Sequence, residues 1–153
     1  MYGYVADPNT WIDPFGLLTE EQAAGLKNID LGNWGERVIS QFLKKNGFNI
    51  LGSIQNASNH GFDLVVINNQ TGRLTIIEVK TSRAGWGNKA NMQTWVQKTW
   101  NTIMRNTNGH WKNIPAYQQK LIDMIGDALK DGTLDYKLAR LNLSKRSIEI
   151  RCK

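Results

Sequence analysis

Three ionisable side chains stand where a folded core should refuse them. Asp63 opens the apolar run Leu64-Val65-Val66-Ile67, and Glu78 and Lys80 close the run Leu74-Thr75-Ile76-Ile77-Glu78-Val79-Lys80. Apolar runs this short read as buried strands. Charges at their ends need partners, because an unpaired buried charge is costly. Two carboxylates and an ammonium suit a hard divalent cation with a phosphate beside it.

The intervening Asn68-Asn69-Gln70-Thr71-Gly72-Arg73 is rich in turn formers. A hairpin centred between Gln70 and Thr71 sets Asp63 opposite Glu78. Side chains so opposed lie about 4.5–5.5 Å apart at Cβ, and like charges there repel. A cation between them turns repulsion into binding. Lys80, two residues past Glu78, projects from the same face. A one-residue slip in register would undo the arrangement.

Asp63, a spacer and Glu78-Val79-Lys80 resemble the restriction-endonuclease-like PD-(D/E)xK nucleases. The resemblance covers roughly residues 33 to 150, with Phe62 standing where that motif has proline. It implies an α/β fold with a mixed central β-sheet flanked by helices. It also implies Mg²⁺ or Mn²⁺ held by Asp63, Glu78 and the Val79 carbonyl, with Lys80 orienting the attacking water. Family members mostly cut DNA, so DNA is the expected substrate and RNA the alternative. Glu36, on a helix expected from Asn33 to about Lys45, matches a position where the family carries an extra acidic ligand. The plainer reading makes Asn33 and Glu36 a capping box. Gln93 matches a position where related nucleases often carry Gln. His60, Thr81, Ser82, Arg83 and Lys89 are further candidates for holding substrate, since hydroxyls and cations suit phosphate. Each also reads as an ordinary loop residue.

The first 32 residues are different in kind. They contain Tyr2-Gly3-Tyr4-Val5, two Asp-Pro steps and Asp13-Pro14-Phe15-Gly16-Leu17. Such punctuation reads as an extended, turn-rich segment. It is similar to the end of the Rhs/YD-repeat core of bacterial polymorphic toxins, where an Asp-Pro-x-Gly-Leu motif precedes a variable toxin domain. The expected division is a junction at 1–32 and a nuclease domain at 33–153. The resemblance implies self-cleavage near Leu17 in the parent Rhs protein, and translocation into a target-cell cytoplasm, through a route such as type VI secretion. It also implies a cognate immunity protein, expected to be acidic.

Bulk properties bound these readings. The chain of 153 residues carries a net charge of +6, which suits a polyanionic partner. Its one cysteine, Cys152, excludes an intrachain disulfide and a cysteine zinc cluster. No apolar run approaches the ~18 residues of a membrane span, and no membrane partner is expected.

Further elements follow from periodicity. Phe48 to Gln55 reads as a strand. Met92, Trp95, Val96, Thr99, Trp100 and Ile103 recur at helical spacing between about Ala90 and Arg105 and are expected in the core. Pro115 starts a helix stopped at Asp131-Gly132, and Leu134–Leu143 with Arg146–Lys153 form a closing hairpin.

Overall fold

The structure, a computed structural model, describes residues 3–5, 27–56, 61–82, 92–105, 114–143 and 147–152. The junction motif at 13–17, His60, Arg83, Lys89 and the Ser144-Lys145 turn lie outside the described residues. The elements run β1 (Gly3–Val5), α1 (Asn28–Lys45), β2 (Phe48–Gln55), β3 (Gly61–Asn68), β4 (Leu74–Ser82), α2 (Met92–Arg105), α3 (Ala116–Asp131), β5 (Asp135–Asn142) and β6 (Ser147–Cys152). They form a mixed α/β fold. One six-stranded sheet has the order β1-β6-β5-β4-β3-β2. The β4–β5 pair is parallel, and its neighbours are antiparallel. The crossover that makes this pair parallel carries α2 and α3.

Two apolar layers hold helices to the sheet. Leu31, Trp34, Val38, Ile39 and Leu43 of α1 pack on Leu64, Val66, Ile77, Val79, Ala139 and Leu141. Val96 and Ile103 of α2 and Leu121, Ile122 and Ile125 of α3 pack on Ile54, Phe62, Val65 and Ile76. Of the expected α2 stripe, Val96 and Ile103 are core, with Trp95 and Trp100 partly buried against it. Ile76 faces α2 and α3, while Ile77 and Val79 face α1, as strand alternation requires. By the same parity Glu78 and Lys80 project toward the α2/α3 side, at the carboxyl end of β4.

The β3–β4 turn sets the expected register. Leu64 pairs with Ile77, Val65 with Ile76, Val66 with Thr75 and Ile67 with Leu74. Gly72, at φ 71°, donates its N–H to Asn68 O at 2.7 Å, and Asn68 N–H reaches Arg73 O at 3.0 Å. Alternation then fails at Asp63. Phe62 belongs to the α2/α3 layer and Leu64 to the α1 layer, although residues two apart should share a face. The irregular pairing of β2 with β3, between Ile50 and Ile54, covers the same stretch.

Two local expectations change. Helix α1 starts at Asn28 with Lys27 as N-cap and no side-chain cap bond. Asn33 is therefore a mid-helix residue, and the Asn33/Glu36 capping box does not form. The cause is Asn28-Ile29-Asp30-Leu31, which adds a turn and buries Leu31. Secondly, β1 pairs antiparallel with β6, so part of the 1–32 segment lies in the same sheet as the rest.

At Gly35, α1 lies directly against Thr81 of β4. A Cβ there would overlap the Thr81 hydroxyl oxygen. We expect Gly35→Ala to lower stability by about 1–2 kcal/mol, despite the better helix propensity of alanine. In urea melts, adding Thr81→Ala should restore most of the loss. Additive losses in the double variant would mean that the two sites are not in contact.

Candidate active site

The acidic cluster is built where β3, β4 and α1 meet. Asp63 sits at the break in alternation, and its carboxylate takes over hydrogen bonds that a regular strand would make by backbone. Its Oδ2 accepts the Val79 N–H at 2.9 Å, and its Oδ1 accepts from the Gln55 amide at 2.9 Å. Asp63 is thus fixed at both oxygens, with the Val79 backbone held against it. Gln55 ends β2, and nothing in its sequence setting marks it. Its role comes only from the pairing of β2 with β3.

Glu78 is 5 % exposed. Its Oε1 receives Lys80 Nζ at 2.8 Å. Its Oε2 is buried with no hydrogen-bond partner. Burial raises the Glu78 pKa to about 7; the Asp63 charge adds to this, and Lys80 opposes it. Glu36 reaches the same point from α1. Its pKa is also raised to about 7, first by burial and then by the Asp63 charge, with Gln55 and Lys80 pulling it down. Burial works against the Lys80 ammonium. Glu78, then Asp63 and Glu36, outweigh it and raise the Lys80 pKa above the ordinary lysine value. Three carboxyl groups and one ammonium therefore share one site.

This donor set fits a hard divalent cation. The ligands on offer are oxygens. One of them, Glu78 Oε2, is a buried acceptor that no protein donor satisfies, and such a group asks for an explanation. Among the described residues no group of three or more histidine, cysteine, aspartate or glutamate side chains is placed to hold a metal ion; Lys80 and Gln55 engage the oxygens of Glu78 and Asp63.

The other candidates among the described residues are Thr81, Ser82 and Gln93. Thr81 points to the α1 side, with its hydroxyl against Gly35, buried and without a hydrogen-bond partner. Ser82 ends β4, and its carbonyl accepts the Leu143 N–H at 2.9 Å. Gln93 is on the exposed face of α2, along a groove of about 610 Å³ shared with Gln97, Lys98, Asn101 and Arg105. The structure adds two residues that the sequence did not single out. One is Gln55. The other is Arg140, which the parallel β4–β5 register places beside Lys80. A cation inside the otherwise apolar Leu138-Ala139-Arg140-Leu141 was the available signal.

No family model, curated protein or solved structure matches this chain. Among the described residues no helix is long and apolar enough to cross a membrane.

The raised carboxyls have a consequence for stability. Between the ordinary value of 4.5 and about 7, the folded protein holds protons on Glu36 and Glu78 that the unfolded chain has released. Stability supplied by those protons is full below 4.5 and is lost as pH rises to about 7. We expect the urea midpoint of the parent to fall across this window, and that of Glu78→Gln to fall less. A parent whose midpoint falls no more than the variant's over the same window would show that Glu78 is not held protonated.

Proposed function

We propose that this chain is a Mg²⁺- or Mn²⁺-dependent nuclease that hydrolyses phosphodiester bonds with low sequence specificity. One observation carries the reading: the buried, partnerless oxygen of Glu78 lies in a cluster with Asp63, Glu36 and Lys80. Asp63, Glu78 and the Val79 carbonyl would hold the ion, and Glu36 would assist directly or through water. When bound, the ion supplies Lewis-acid polarisation of a phosphoryl oxygen and a more acidic water.

The side chains divide the remaining work. The Lys80 side chain is half-exposed, while that of Glu78 is buried. Lys80 can therefore face a phosphate and orient a water while its charge offsets that of Glu78. Asp63 is locked by Gln55 and Val79, which fixes the carboxylate before substrate arrives. The net charge of +6 favours approach of a polyanion. DNA is the preferred substrate and RNA the alternative, on the resemblance to PD-(D/E)xK enzymes.

The Asp13-Pro14-Phe15-Gly16-Leu17 motif supports a biological setting for the activity. In that reading the chain is the toxin domain of an Rhs effector, translocated into a competing bacterium and restrained in its producer by an immunity protein. That part rests on sequence resemblance alone.

The Lys80–Glu78 ion pair favours a second reading, a structural pair in an interaction domain without activity. Plasmid incubation separates the two. We expect the parent to cleave with Mg²⁺ and to stop with EDTA. Asp63→Ala, Glu78→Ala and Lys80→Ala should each lower the rate by at least roughly a hundredfold. No cleavage of DNA or RNA by the parent, with Glu78→Ala losing only stability, would leave the structural pair as the answer.

A further inference from the structure

Glu36 belongs to a second feature besides the acidic cluster. A cleft of about 460 Å³ runs along one side of α1, past Asn33, Glu36 and Ser40, and is walled on the other side by Ser53 of β2 and Leu64 of β3. It lies at the margin of the sheet, because β2 is an edge strand. Arg37, Gln41 and Lys44 line its α1 wall. Apart from Leu64, every described side chain lining it is polar, and Glu36 is the one acid among them.

Position and chemistry narrow what such a cleft can take. It shares Glu36 with the acidic cluster, so an occupant would reach a member of that cluster. Its volume is that of a small-ligand site and is far below what a duplex needs. Its walls offer amides, hydroxyls and two cations, the groups that hold phosphate and sugar without reading bases. Arg37 and Lys44 are seven residues apart, about 10.5 Å along the helix axis. That span exceeds a single phosphate group and suits a backbone running along the helix.

We infer that this cleft is a subsite for the sugar–phosphate backbone of a single nucleic-acid strand, seating the nucleotide next to the one cut. The inference rests on the nuclease reading and extends it. Substrate enters the catalytic centre as one strand, laid between α1 and the β2 edge, with Lys44 binding a phosphate at the outer end. The bland role for Lys44 is to complement the carbonyl end of the α1 dipole. Lys45 has that same opportunity, since both are in the last turn, but Lys45 does not line the cleft.

The pair therefore makes its own control. Binding of a short fluorescein-labelled DNA single strand is measured by anisotropy in EDTA, across a salt series, for the parent, Lys44→Gln and Lys45→Gln. Both positions are exposed, and both variants should fold. We expect Lys44→Gln to weaken binding roughly tenfold and to lower the salt slope by about 1, with Lys45→Gln within about twofold of the parent. Equal effects of the two substitutions would overturn the cleft assignment while leaving the nuclease reading intact. A parent that binds no strand at low salt would likewise overturn the cleft assignment, whereas only failure of the parent to cleave nucleic acid with Mg²⁺ would overturn the nuclease reading.

Discussion

A deficit of positive charge governs this site. Among the described residues, Asp63, Glu78 and Glu36 crowd around the Lys80 ammonium, with Arg140 its neighbour across the β4–β5 pair. Like charges a few ångströms apart, away from bulk water, do not all ionise. The metal-free protein meets this by keeping protons on Glu36 and Glu78 up to about pH 7. In the proposed function a divalent cation would meet the same need, by neutralising two carboxylates and satisfying the Glu78 oxygen left without a partner. Carboxyls shifted this far by burial and by one another are typical of functional sites.

The fold holds this cluster together by departures from regularity. Strand β3 breaks alternation at Asp63, and the freed side chain turns to the Val79 amide. Gly35 lets α1 lie against β4 at Thr81, which brings Glu36, one residue on, over the same corner. The parallel pairing of β4 and β5 then sets Lys80 beside Arg140 at the carboxyl ends of both strands. Everything beneath is conventional packing: Val65, Ile76 and Ile77 are fully buried, so the strands that present the polar ends cannot slide without exposing the core.

What the sequence made legible follows from range. The β3–β4 register could be read because the turn is short and its residues are diagnostic, and the Leu64–Ile77 pairing bears that out. Helix α2 and its buried stripe followed from period alone. Gln55 was invisible, since its bond to Asp63 depends on how β2 meets β3 across an irregular stretch. Glu36 was ambiguous for a related reason. Asn33 and Glu36 have capping-box spacing, but burial of Leu31 carries α1 back to Asn28 and leaves Asn33 mid-helix. Local pattern named two roles for Glu36, and tertiary packing removed the capping box. The in-plane turn of Asp63 had no sequence signal except Gly61 beside it.

The most direct test is the ionisation of Glu78 itself, followed by the carbon-13 shift of its side-chain carboxyl against pH, with and without Mg²⁺. The account predicts a midpoint near 7 without the ion and one well below it when Mg²⁺ is present. A midpoint near the ordinary 4.5 in both conditions, unmoved by Mg²⁺, would contradict it.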